Sequence, residues 1–111
     1  MKIDHIKNYI RGWVIGNFQP ALLKTNEFEF AIKKYVAGDY EVKHFHKMAT
    51  EYTFVISGKV KMNSVEYGPD QIIIIEPGES TNFLALEDTV CAVIKYPGAS
   101  NDKYISEENN E

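Results

Sequence analysis

The sequence contains one cysteine, Cys91, among its 111 residues. A disulfide within the chain is therefore impossible, and nothing in the sequence indicates an oxidising compartment. Cys91 lies in the apolar segment TVCAVIKY, so we expect a small buried side chain rather than a reactive thiol. A chain of this length has room for one hydrophobic core, which predicts a single domain over 1–111.

Long apolar runs are also missing. Runs such as Ile72 to Ile75 are far shorter than the roughly 20 residues that a transmembrane helix needs. The first segment, MKIDHIKNYIRGW, has charges throughout and lacks the apolar centre of a signal peptide. We therefore expect a soluble, cytoplasmic protein with no membrane partner.

The sequence also lacks clustered positive charge. The chain has 12 basic and 16 acidic residues, a net charge of −4, and no basic stripe. Nucleic-acid binding requires grouped Lys and Arg side chains, so we expect no nucleic-acid partner. There is no glycine-rich loop that would cradle phosphates, and hence no motif for a nucleotide cofactor.

The dominant periodicity is that of β-strands. Short segments rich in β-branched and aromatic residues occur at 28–36, 40–46, 51–57, 59–62, 71–75 and 89–96. Turn-forming residues separate them, at 37–39, 63–64, 68–70, 77–78 and 87–88. This pattern predicts an all-β sandwich or barrel with a core over about 28–96. Residues 10–23 are expected to form an N-terminal arm or edge strand, and 105–111 a frayed acidic tail.

One segment, GDYEVKHFHKMATEYTFVISG, gathers polar side chains that suit a site. We expect strands 40–46 and 51–57 to pair as an antiparallel hairpin closed by a loop at 47–50. Opposed residues then share one face, about 5 Å apart at Cβ. The expected facing pairs are Tyr40 with Ser57, Val42 with Val55, His44 with Thr53, and His46 with Glu51.

Two histidines and a carboxylate on one face are the ligand set that suits Fe(II) and related divalent metals. The predicted metal ligands are His44, His46 and Glu51, which are also the catalytic candidates. The alternative is that these are partly exposed polar residues on the wet face of a sheet.

The spacing Gly38-x5-His44-x1-His46-x4-Glu51-x6-Gly58 resembles the first motif of the cupin superfamily, and the chain is similar to small single-domain cupins. The resemblance implies a cupin double-stranded β-helix, an RmlC-like jelly-roll barrel of two antiparallel sheets. It also implies that the two histidines and the glutamate point into a pocket. Residues Tyr40, Thr53, Ser57 and Thr81 are then candidate ligand contacts.

The second cupin motif is incomplete. Gly78 is in place, but Thr81 stands where that motif has a histidine, and Asp70, Glu76 and Ala85 also depart from it. A four-ligand metal site is thereby reduced to three ligands. The sequence leaves open whether this site binds a divalent transition metal, and it does not distinguish Fe, Mn, Ni and Zn.

Three functions fit these residues. The first is a small-molecule-binding cupin of unassigned reaction, with or without a metal. The second is a metal-free isomerase or epimerase acting on a nucleotide-linked sugar, with Lys33, Lys34 and Lys95 as candidate diphosphate contacts. The third is a non-catalytic ligand-sensing or assembly module.

A second apolar row, formed by Tyr52, Phe54 and Ile56, alternates with the proposed site face. A small barrel needs only one face of a sheet for its own core, so this row has to be covered by another surface. We therefore expect a homodimer, with residues 10–23 as the docking or exchanged segment. Trp13, within that segment, is expected to have a core or edge role.

Overall fold

The computed structural model describes residues 1–99 and 101–106. Two short 3-10 turns, Ile6–Asn8 and Ile10–Gly12, precede the strands. The strands are β1 Trp13–Ile15, β2 Glu29–Tyr35, β3 Tyr40–Phe45, β4 Thr50–Ser57, β5 Val60–Met62, β6 Val65–Tyr67, β7 Ile72–Ile75, β8 Thr81–Ala85, β9 Thr89–Tyr96 and β10 Tyr104–Ile105. The predicted all-β class is confirmed. Of the expected acidic tail, 107–111 lies outside the described residues.

The strands form two antiparallel sheets of five. Sheet A has the order β1-β2-β9-β4-β7, and sheet B has the order β10-β3-β8-β5-β6. Strands distant in sequence lie side by side, as β2 does with β9 and β3 with β8. This is the double-stranded jelly roll that the sequence predicts, with the two sheets closing over a common interior.

The predicted pairing of β3 with β4 is wrong. β3 pairs with β8 and β10 in sheet B, whereas β4 pairs with β9 and β7 in sheet A. The chain crosses from one sheet to the other at 46–49 instead of folding back on itself. The predicted facing pairs therefore do not form, and His44 and Glu51 lie on opposite walls of the barrel.

The crossing loop is fixed by a residue near the end of the chain. The carboxylate of Asp102 accepts hydrogen bonds from the backbone N–H groups of Lys47, Met48 and Ala49, each at 3.0 Å. Three donors that would otherwise lack a partner are satisfied in this way. The sequence analysis assigns no role to Asp102.

Three strands were not predicted: β6, β8 and β10. β6 is the return strand of a hairpin from β5, closed at Asn63 and Ser64, which both have positive φ (47° and 68°). Such angles are those of the tight turns that suit the twist of a hairpin. β8 is short, but its buried residues alternate: Thr81, Phe83 and Ala85 face the interior.

An apolar cluster fills part of the interior, contributed by both sheets: Val55, Val60, Met62, Ile75, Phe83, Ala85, Cys91 and Val93. Cys91 is fully buried, as the sequence predicts. The turn between β4 and β5 approaches the start of β9 closely at Gly58, which has φ +90°. A Cβ atom there would meet the backbone of Asp88 and Thr89, so the turn requires glycine.

Within the described residues, no helix has the length and apolar character needed to cross a membrane.

Candidate functional site

The inward face of β3 is set by a bulge. Glu41 pairs with Phe83 and His44 pairs with Thr81. Between these two pairs β3 therefore has one more residue than β8, which is a β-bulge. The bulge reverses the alternation, which leaves Tyr40 and Val42 half exposed (50% and 47%). The expected inward positions of Tyr40 and Val42 are therefore wrong, and Glu41 lines the interior instead.

A similar irregularity displaces Ser57. The register of β4 against β9 shifts between Val55 and Ser57, and Ser57 is exposed at the end of the strand. The expected pocket position of Ser57 is therefore wrong. Thr53 and Thr81, by contrast, are buried and line the interior cavity.

His44 is held by the bulge itself. Its Nδ1 atom lies 2.8 Å from the carbonyl oxygen of Val42. Since a carbonyl only accepts, Nδ1 carries the hydrogen in the neutral ring, and Nε2 keeps a free lone pair. Because His44 lines the cavity, this nitrogen is available to a ligand.

His46 is the more deeply buried of the two histidines, with 4% of its surface exposed. Its carbonyl oxygen accepts a hydrogen bond from Gly78 at 2.7 Å, and its Nε2 atom has no partner among the described residues. Burial, followed by the nearby charges of Lys95 and His44, lowers the pKa of His46 to about 4. The imidazole is therefore neutral at pH 7.

Glu51 approaches from sheet A. The Thr53 hydroxyl donates a hydrogen bond to its Oε2 atom at 3.2 Å. Burial raises the pKa of Glu51, with Lys95 and the Thr53 hydrogen bond opposing the rise. A raised pKa favours the protonated acid, which can donate a proton.

The barrel interior holds a cavity of about 230 Å³ between the two sheets. Four cationic side chains line it: Arg11, Lys33, Lys95 and Lys103. Glu41, Glu51 and His44 also line the cavity. Its apolar walls are formed by Trp13, Tyr35, Phe83 and Val93. Trp13 thus lines a pocket and also begins the edge strand β1.

No protein-family model and no curated protein matches the sequence. Among solved structures, an uncharacterized conserved protein with a double-stranded β-helix domain from Klebsiella pneumoniae superposes with a TM-score of 0.73 at 20% identity, over 96% of this chain and 93% of that one. A cupin-2 domain protein from Shewanella frigidimarina superposes with a TM-score of 0.57 at 18% identity, over 65% of this chain and 72% of that one. The chain has the cupin fold.

A larger protein has the same fold. The DMSP lyase DddQ from Ruegeria pomeroyi superposes with a TM-score of 0.71 at 15% identity, over 89% of this chain and 52% of that one. At these identities the likeness shows the fold, and the function of this cupin barrel has to be argued from its own side chains.

The predicted metal ligands His44, His46 and Glu51 come from both sheets of this cupin barrel. Within residues 1–99 and 101–106, no three His, Cys, Asp or Glu side chains converge on one point as metal ligands. His44 and His46 do lie together, with ring centroids 5.6 Å apart and the rings nearly perpendicular. Glu51 lies in sheet A, on the wall opposite His44. The Thr81 hydroxyl donates a hydrogen bond to the Asn82 carbonyl oxygen at 2.7 Å.

Several residues that line the cavity were missed or not placed from the sequence. Glu41 was missed because the bulge at Val42 and Lys43 changes the parity of the strand. Lys33 and Lys95 were named as basic candidates but not placed; both line the cavity, whereas Lys34 is exposed. Each lies two residues after a buried position, Ala31 or Val93, and this spacing of two could have placed both lysines on the inward face.

Proposed function

We propose that the barrel cavity binds a small organic molecule and that His44 exchanges a proton with it. The observation that carries this proposal is the free Nε2 atom of His44. The Val42 carbonyl fixes the other ring nitrogen, so the base is oriented before a ligand arrives. A histidine in this tautomer accepts a proton at Nε2 without rearranging.

The opposite wall supplies an acid. Glu51 has a raised pKa because of its burial, and it faces the same cavity as His44. A base and an acid on two sides of a bound molecule suit an isomerisation next to a carbonyl group. In such a step His44 removes a proton from carbon, and Glu51 donates one to the carbonyl oxygen, which gives the enol.

The size of the cavity restricts the ligand. A volume of about 230 Å³ is below the usual 300–1,000 Å³ of pockets for drug-sized molecules. A ligand contained in the barrel is therefore small. Thr53 and Thr81 remain candidate hydrogen-bonding partners for it.

The test has two readouts. Small oxo acids, hydroxy acids, aldoses and ketoses are first screened for a rise in melting temperature. Ligands that bind are then held in D2O, and the loss of the proton signal next to the carbonyl is followed by NMR. We expect His44→Gln to keep binding within a few-fold and to lose the exchange. Exchange at the wild-type rate in His44→Gln would refute the role of His44.

A second function has one observation in its favour. An open groove of about 710 Å³ adjoins the cavity, and the two share Arg11, Lys33, Tyr35 and Glu41. A nucleotide-linked sugar has the length to place its sugar in the barrel and its diphosphate at these cations. Binding of a nucleotide-linked sugar more tightly than of the free sugar would favour this isomerase or epimerase. Binding without exchange would favour a sensing module.

Metal binding at His44, His46 and Glu51 stays a prediction. Its support is the pair of adjacent histidines, each with an Nε2 atom that has no partner among the described residues. Elemental analysis after incubation with Fe(II), Mn(II), Ni(II) and Zn(II) tests it. About one equivalent that is lost in His44→Ala would support the site, and no retained metal would refute it.

A further inference from the structure

Two lysines lie inside the barrel where the neighbouring positions are apolar. Lys33 of β2 and Lys95 of β9 follow the alternation of Ala31, Cys91 and Val93, which are 0%, 0% and 5% exposed. The Lys33 side chain is 12% exposed. A lysine at an inward position of a small barrel is costly unless something compensates its charge.

Both ammonium groups lie over the same indole ring. The Nζ atoms of Lys33 and Lys95 are 5.7 Å and 4.7 Å from the centroid of Trp13. Cation–π attraction offsets part of the cost of burial, but it supplies no counter-charge. Both charges therefore lie within 5.7 Å of one side chain of the cavity wall.

The carboxylates of the protein do not neutralise this pair. Lys33 reaches Glu41 at 3.9 Å, a long contact, and Glu41 also accepts a hydrogen bond from the Tyr35 hydroxyl at 3.4 Å. Glu29 and Glu51 stand opposite Lys95 in the neighbouring strands, yet within the described part of the chain Lys95 forms no ion pair.

Positive charge therefore exceeds negative charge in the cavity, although the whole chain carries −4. Arg11 and Lys103 line the same cavity as the two lysines, against Glu41 and Glu51. Low-dielectric walls strengthen the attraction that such a site has for an anion.

We propose that the ligand of this cavity is a small organic anion whose anionic group binds between Lys33 and Lys95 on the Trp13 side. The inference rests on the proposed function, since it requires that the cavity bind a molecule. It adds the substrate class: the charged end lies at the two lysines, and the remainder of the molecule extends toward His44. Carboxylate and phosphate share the required chemistry, and the test separates them.

The experiment uses the full chain and matched ligands. Oxo acids and hydroxy acids of three to six carbons are titrated calorimetrically beside their neutral amides and alcohols. Inorganic phosphate and small phosphate monoesters form a second series. The variants are Lys33→Met and Lys95→Met, with Lys24→Met as the control, because Lys24 is exposed and does not line this cavity.

Anions are expected to bind, and each inward variant to weaken them about tenfold or more through loss of a charge-assisted contact. Lys24→Met should leave the affinity unchanged, and added salt should weaken anion binding by the wild type more than by the inward variants. The series that binds more tightly, carboxylates or phosphates, identifies the anionic group. Either result supports the proposal.

The proposal is overturned if neutral analogues bind as tightly as the acids, or if the inward variants bind anions like the wild type. In that case a neutral ligand would still support the proposed function and refute only the anionic class. Absence of binding by every compound in both series would refute the proposed function itself. Folding of the variants is checked by melting: removing a poorly compensated buried charge should maintain or raise the melting temperature.

Discussion

The carboxylate of Asp102 lies 3.0 Å from the backbone nitrogen of Ala49, a residue 53 positions earlier in the chain. The same carboxylate accepts hydrogen bonds from the N–H groups of Lys47 and Met48, so a single side chain orders the loop that leads from His46 into β4. The position of His46 therefore depends on a residue from near the end of the described chain.

Removal of this carboxylate is expected to destabilise the protein. Asp102→Ala leaves three backbone donors without an acceptor, at a cost of about 2–4 kcal/mol in the free energy of unfolding. Urea denaturation measures the loss. Asp70→Asn is the control, since Asp70 is exposed and asparagine tolerates its φ of 72°. Equal stability of the Asp102 variant and the wild type would show that the loop does not need this anchor.

The stability should depend on pH through His46. Its pKa falls from 6.5 to about 4 on folding, so the unfolded chain binds more protons between these two values. Stability is fully present above pH 6.5 and declines as the pH falls toward 4, by about 3 kcal/mol in total. Denaturation of chelator-treated protein at a series of pH values tests this. The slope should be reduced in His46→Gln and retained in His5→Gln, whose histidine is exposed.

Glu51 is expected to reduce the stability of the protein at high pH. Because folding raises its pKa, the folded state favours the protonated acid, and stability is lost as the pH rises through the folded pKa. Glu51→Gln should therefore melt at a higher temperature than the wild type at pH 8 and show less difference at pH 4. The same variant should lose proton exchange with a bound ligand. A lower melting temperature at pH 8 would contradict this account.

The homodimer is predicted to form through the outer face of sheet A. Ile74, Tyr52, Ile94 and Phe30 stand side by side across four strands, and Ile72, Phe54, Ala92 and Ile32 form the next row. Neither row contains a charge, so two copies related by a two-fold axis would bury apolar surface against apolar surface. Residues 13–15 of the expected docking segment pair with their own β2, which leaves this face as the surface for the partner.

Light scattering coupled to size exclusion tests the dimer. Ile74→Glu should yield a monomer, because it places a charge within this apolar face. Val65→Glu is the matched control: Val65 is 51% exposed and Ile74 53%, but Val65 lies on the edge strand of the other sheet. A monomeric wild type, or a dimer that survives in Ile74→Glu, would refute the prediction.

The strands and turns of this protein could be predicted from its sequence because their causes are local. Alternating apolar residues and turn formers predict six strand segments, and each of them overlaps a strand of the structure. The spacing from Gly38 to Gly58 resembles the first cupin motif, and this resemblance implies the cupin fold. Gly58 occupies a position where a side chain would meet neighbouring backbone.

The tertiary structure alone decided which side chains meet. Strands β3 and β4 are separated by a loop short enough for a hairpin, and the sequence provides no local signal that the chain changes sheets there. The crossing loop is hydrogen-bonded to Asp102, which is distant in sequence, and the bulge in β3 is defined by its register against β8. A shift of one residue exchanges the two faces of a strand. For this reason Glu41 lines the cavity, and not Tyr40 as the sequence predicts. The joint approach of Lys33 and Lys95 to Trp13 likewise arises only when β1, β2 and β9 lie side by side in one sheet.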